Sequence, residues 1–197
     1  MNERVRFWRW YRTVPISAML LVIGLTFMPA SMSSSAFMRR IFYPVHYEDQ
    51  IVESSERYGV DTRLVCAIIK CESSWDANAQ SKAGAVGLMQ LMPDTSTDLA
   101  YNGVVDYTVY DPSNLTDAAT NIEYGCAYLS QLQAQLNSTD EVIAAYNAGP
   151  GSVQEWLSGG GVINEVIGYP ETALYLMRVN EAYSRYQQLY TETLSER

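Results

Sequence analysis

The chain has 197 residues, 48% of them hydrophobic and 12% aromatic, with a formal net charge of −9. That is enough for one compact domain with a real core plus a tail. Residues 41–197 carry seven basic and 21 acidic side chains, a body that repels phosphate backbones, which argues against nucleic-acid binding.

The first forty residues reverse the charge: Arg4, Arg6, Arg9, Arg12, Arg39 and Arg40 stand against Glu3 alone. Between them, "VPISAMLLVIGLTFMPA" (14–30) is uncharged and mostly apolar. As helix it spans roughly 25 Å, slightly short of a hydrocarbon core of about 30 Å. Arginines before it favour a cytoplasmic N-terminus, and Trp8, Trp10 and Tyr11 suit the interface. Residues 1–30 therefore read as a retained single-pass anchor, with a cleaved signal peptide as the competing reading. In both cases the acidic body lies outside the cell membrane. Residues 31–46 read as a juxtamembrane linker and 47–197 as the folded domain.

From Tyr47 onward the pattern is helical. "YEDQIVESSERYG" is an amphipathic helix closed by Gly59, and Asp61 caps the next, "TRLVCAIIKCESSW". Glycines in "DANAQSKAGAVGLMQLMP" predict a loop or short hairpin, and Pro93 opens a short helix. "YNGVVDYTVYDPSNL" is irregular. "TDAATNIEYGCAYLSQLQAQL" is a long helix with Ile122, Cys126 and Leu129 at core spacing. "TDEVIAAYNAGPGSVQEWLSGGG" reads as two helices broken at Ala148–Pro150, and "PETALYLMRVNEAYSRYQQLY" as the last. Repeats and convincing strand runs are absent, so the fold class is mainly α.

Three cysteines, Cys66, Cys71 and Cys126, leave at least one unpaired within the chain. Buried thiols are the simplest reading, and a Cys71–Cys126 disulfide stays open. His46 is the only histidine, which argues against a zinc site or a histidine-based triad. No metal or organic cofactor is implied.

Glu72 breaks the hydrophobic pattern. Val65, Ile68 and Ile69 lie seven, four and three residues before it, so its carboxylate sits on the apolar face of its helix. A position near the helix C-terminus and aliphatic surroundings both favour the neutral acid, raising its pKa as a general acid requires. A glutamate bent out to solvent is the alternative.

Around that residue, Glu72–Ser73, Gly87–Leu88–Met89–Gln90, Ala145–Tyr146–Asn147 and Glu171 with Tyr175 occur in one order. In this the chain, over roughly residues 47–190, resembles the lytic transglycosylases of the soluble-lytic-transglycosylase (SLT) type, glycoside hydrolase family 23. The apolar N-terminal run and the "YPVHYEDQI" lead-in look like the single-domain, membrane-tethered members of Gram-positive bacteria. The resemblance implies a lysozyme-like (goose-type lysozyme/SLT) α domain behind a membrane segment, with peptidoglycan glycan strands as partner. Glu72 would protonate the bond between N-acetylmuramic acid and N-acetylglucosamine. It would then act as base for the muramoyl C6 hydroxyl, giving a 1,6-anhydro end without water, with the muramoyl N-acetyl group replacing the nucleophile of a retaining glycosidase.

The other motif residues become candidate substrate contacts. Gln90 would offer an amide and Met89 a deformable apolar wall, although Met89 equally suits ordinary packing. Tyr146 and Asn147 precede a turn that would display them. Glu171 opens the last helix with Tyr175 one turn on, and Ser73 stands beside the acid. Ala173 and Leu174 depart from the pattern, since an Arg-Asn pair often occupies these positions in the family. Two other readings share these residues: a goose-type-like muramidase that uses water, and a wall-binding scaffold with a silent site. A wall-opening subunit of a secretion or conjugation machine would use the same chemistry.

Overall fold

The structure is a computed structural model in which residues 34–190 are described. It divides into two compact units, Met1–Phe42 and Tyr43–Arg197. The apolar run 14–30 lies outside the described residues. Among those described, no helix is long and apolar enough to cross a membrane.

In the first unit, α1 (Ser34–Ile41) is an eight-residue helix inside the segment read as linker, with Phe37 and Phe42 in edge contact. The second unit carries α2 (Glu48–Tyr58), α3 (Thr62–Ser73), α4 (Pro93–Tyr101), α5 (Ala118–Gln135), α6 (Thr139–Ala148), α7 (Pro150–Ser158), α8 (Ile163–Val166) and α9 (Pro170–Leu189). The described residues contain no strand, only isolated antiparallel bridges.

Local chemistry sets the boundaries. Gly59 adopts the left-handed conformation (φ 67°) that ends α2. Asp61 accepts the Arg63 backbone N–H at 2.8 Å and caps α3, and Asp117 does the same for α5 through Thr120. Burial of the Asp61 carboxyl favours its neutral form. Hydrogen bonds from Arg63 and Tyr183 outweigh that and hold it below the usual range. Ser138 caps α6, while Pro93, Pro150 and Pro170 stand in the first turns of α4, α7 and α9, where the missing N–H has no partner to lose.

The core forms around α3. Leu64 through Ile69 are buried without a break, as for a helix enclosed on all sides. Each fully buried aliphatic side chain contributes roughly 1.5–3 kcal/mol. α9 packs along α3 and α6, and α2 along α5 and α3. Tyrosines secure α9: Tyr183 donates to Asp61, Tyr186 to the Pro44 carbonyl and Tyr190 to the Tyr43 carbonyl. All three cysteines are free thiols, so the Cys71–Cys126 bridge is not formed.

Beneath α2 and α5 lies a second polar cluster. Glu123, only 2% exposed, accepts from Ser54, Tyr58 and the Arg57 guanidinium, and Arg57 also reaches Glu53.

Candidate active site

α3 ends at Ser73, and the chain then turns through two left-handed residues, Ser74 (φ 51°) and Trp75 (φ 72°). Glu72 is therefore held in the last turn of a rigid, buried helix. Its carboxylate is half-buried and among the described residues accepts one hydrogen bond, from the Tyr175 hydroxyl of α9 to Oε1 at 2.7 Å. Desolvation pushes its carboxyl above the ordinary carboxylate value, opposed by the Tyr175 hydrogen bond and the Arg178 guanidinium. The raised acid expected from its apolar face is thus present. Burial also lifts the Tyr175 phenol well above its ordinary value, helped by the Glu72 charge, so it remains a donor.

The loop 76–92 faces the helix end. Gln80 bridges Val86, and Val86 bridges Leu91. Gly87 (φ 82°) is required here, because a Cβ would lie 2.3 Å from the Leu115 carbonyl oxygen. Asn121, fully buried on α5, clamps this loop: its amide nitrogen donates to the Val86 and Leu115 carbonyls, and its oxygen accepts the Met89 N–H at 2.7 Å.

Gln90, left-handed at φ 47°, spends its amide nitrogen on the Ala79 and Gly87 carbonyls, both at 3.0 Å. It can offer its amide oxygen to a ligand. Met89 departs from the groove-wall expectation. Its side chain is fully buried, and a Cβ on Gly125 would lie 2.1 Å from its sulfur, so it fills the space left by that glycine. Its backbone carbonyl accepts the Tyr146 hydroxyl at 2.8 Å.

Tyr146 is half-buried rather than displayed, tilted against Tyr128 at 5.4 Å. It lies within electrostatic reach of Glu72; burial, then that charge, raise its phenol well above its ordinary value. Asn147 is exposed and accepts from Thr172, tying the end of α6 to the start of α9. Ser73 turns into its own helix end, donating to the Ile69 carbonyl and accepting the Trp75 N–H, both at 3.2 Å. Glu171 is exposed on the first turn of α9 and makes no hydrogen bond or ion pair among the described residues.

The structure thus gathers Glu72, Tyr175 and Tyr146 around one carboxylate, with Gln90 in the loop that Tyr146 braces. Sequence reasoning missed Asn121, Thr172 and Arg178. Each acts through a partner at least 25 residues away, and only Thr172, within the Glu-Thr pair before Tyr175, lay inside a motif already singled out.

A family profile described as the transglycosylase SLT domain matches residues 49–162. That range holds Glu72, Gln90 and Tyr146 and stops before Tyr175. The soluble lytic murein transglycosylase of Salmonella typhimurium is 34% identical over 154 residues, 73% of this chain and 24% of that protein. The membrane-bound lytic murein transglycosylase C of Edwardsiella ictaluri is 33% identical over 168 residues, 73% of this chain and 47% of its own length. The chain thus spans under half the length of these relatives. Among solved structures, the 70 kDa soluble lytic transglycosylase of Escherichia coli superposes with a TM-score of 0.70 at 31% identity, covering 78% of this chain and 26% of that one.

Proposed function

This chain belongs to the transglycosylase SLT family, and from that premise we propose that it is a peptidoglycan lytic transglycosylase with Glu72 as its single acid and base. The observation that carries the reading is the Glu72 carboxyl at the end of α3. Burial raises its pKa, and among the described residues the groups that oppose this are the Tyr175 phenol and the Arg178 guanidinium, neither of them a carboxylate. Burial makes that proton easier to hold than on an exposed glutamate, which suits a general acid.

In the proposed cycle Glu72 gives its proton to the N-acetylglucosamine O4 as the C1–O4 bond breaks. The muramoyl O6 then bonds to C1, and its proton returns to Glu72. Water is not consumed, and the acid is regenerated. Tyr175 holds Oε1 throughout, while Tyr146 and the Gln90 amide oxygen face the sugars beside it. Asn147 and Glu171, exposed at the end of α6 and the start of α9, are the further proposed sugar contacts, while Ser73 braces the turn after Glu72 and the Met89 carbonyl holds Tyr146.

The N-terminal apolar segment is proposed to tether the domain to a bacterial cell membrane on its outer side. The membrane-bound relative supports that placement, and recovery of a processed N-terminus beyond residue 30 would replace the anchor with a cleaved signal.

Digestion of purified peptidoglycan, read by mass spectrometry beside Glu72→Gln, tests the reading. Anhydro-muramoyl ends are expected, with turnover reduced about 10²–10⁴-fold in the variant. Reducing muramoyl ends would move the protein to the muramidases, and bound but intact glycan would leave a scaffold.

A further inference from the structure

Tyr175 and Arg178 are three residues apart on α9 and so share a face. They hold adjacent residues of α3: Tyr175 the Glu72 carboxylate, and Arg178 Nη2 the Cys71 carbonyl at 2.8 Å. The final carbonyls of a helix lack intrahelical partners. In α3, Ile69 and Lys70 find theirs locally, from Ser73 and Ser74. Cys71 is satisfied instead from another helix, by a cation, which the negative end of the macrodipole favours.

We propose that Arg178 is a positioning residue for the acid: by holding the Cys71 carbonyl it fixes the turn that carries Glu72 in register with Tyr175 and keeps a guanidinium beside the carboxylate. This rests on the reading of Glu72 as the acid. The groups that bear on Glu72 are Tyr175 and Arg178 from α9 and Tyr146 from α6, with Cys71 and Lys70 beside it on α3. Lys70 carries its ammonium over the Tyr43 ring, 4.8 Å from the centroid, and among the described residues Arg178 is the cation that acts on Glu72.

The arrangement has a chemical purpose. A group that gives a proton in one step and takes one in the next needs an affinity that is raised without being locked. Burial raises it, and the guanidinium pulls it back. Both settings depend on the same contact, so loosening Arg178 would disturb geometry and proton affinity together.

The test uses the full chain in detergent micelles with ¹³C-carboxyl glutamate, the Glu72 resonance being assigned by its loss in Glu72→Gln. Arg178→Met, Arg178→Gln and Arg178→Lys are compared with the parent. Arg178 is exposed, so truncation spares the core, and the glutamine variant keeps the comparison available if the methionine variant does not fold.

In the methionine and glutamine variants the Glu72 titration should move to higher pH and the alkaline limb of the activity profile should follow. Turnover should fall roughly 10–100-fold, as for a small misplacement of a reacting group. Lysine should restore most of the titration. An unmoved Glu72 titration in both neutral variants would overturn the proposal, whatever happens to activity or melting temperature. If the titration moves while the parent cleaves no glycan, Arg178 keeps its role and the transglycosylase reading fails.

Discussion

Of the carboxylates this domain draws out of water, Glu123 and Glu72 have opposite surroundings. Glu123 is 2% exposed and accepts from a serine, a tyrosine and an arginine, so its oxygens are spent inside the protein. Glu72 is half-buried, accepts among the described residues from Tyr175, and keeps the guanidinium of Arg178 on its backbone neighbour rather than on itself. Burial alone does not make an acid reactive. Saturating a carboxylate with donors turns it into a brace, whereas an oxygen left unclaimed by the described residues suits the proposed role of acid.

The comparison can be broken at either end. The largest effect on stability should come from Glu123→Ala, which leaves Arg57 and Tyr58 without their shared acceptor. Because Arg57 reaches water, the cost belongs at the lower end for a broken buried pair, about 3 kcal/mol, measured by chemical denaturation. Glycan turnover per folded molecule should be nearly unchanged, and a loss as large as that of Glu72→Gln would erase the distinction between the two sites.

Tyr175→Phe comes next. It removes the one donor on Glu72, a charge-assisted bond contributing about 1.5–3 kcal/mol to the ionised form. The hydrogen bond lowers the Glu72 pKa, so its loss should move the alkaline limb of the activity profile upward. An unshifted limb would mean that the phenol merely packs there.

The smallest effect is a gain. A carboxyl whose folded pKa is raised binds its proton more tightly in the folded state. Glu72 therefore costs nothing well below the ordinary value of 4.5 and lowers stability as pH climbs from there through its folded pKa. Glu72→Gln should melt higher at pH 7, by about 2–4 °C if the relief is near 1 kcal/mol. The gain should disappear near pH 3. A variant equally stabilised at both values would show that the cost of Glu72 is steric rather than electrostatic.

Much of this was readable in the chain because it is local. Asp61, Asp117, Gly59 and the three helix-opening prolines act within a turn of themselves, and Glu72 betrayed itself by the apolar residues three, four and seven positions earlier. What escaped was set by distant partners. The choice between packing and a sugar contact for Met89 is made by Gly125, which on another helix leaves room for its sulfur. Asn121 matters because three backbone groups of two loops converge on one amide. α8 escaped for another reason, since four residues are too few to show a period.

The tyrosines of α9 and Tyr190 at its C-cap have a further consequence, in time. Their partners lie 103, 122, 142 and 147 residues earlier in the chain, at Glu72, Asp61, Pro44 and Tyr43. Closing such long loops is a late event in folding, and α9 is synthesised after every element it closes on. Until α9 has emerged and docked, Glu72 has neither its phenol nor the cation behind it. The nascent chain therefore lacks the assembled site, and the docking of α9 acts as the timer that completes it.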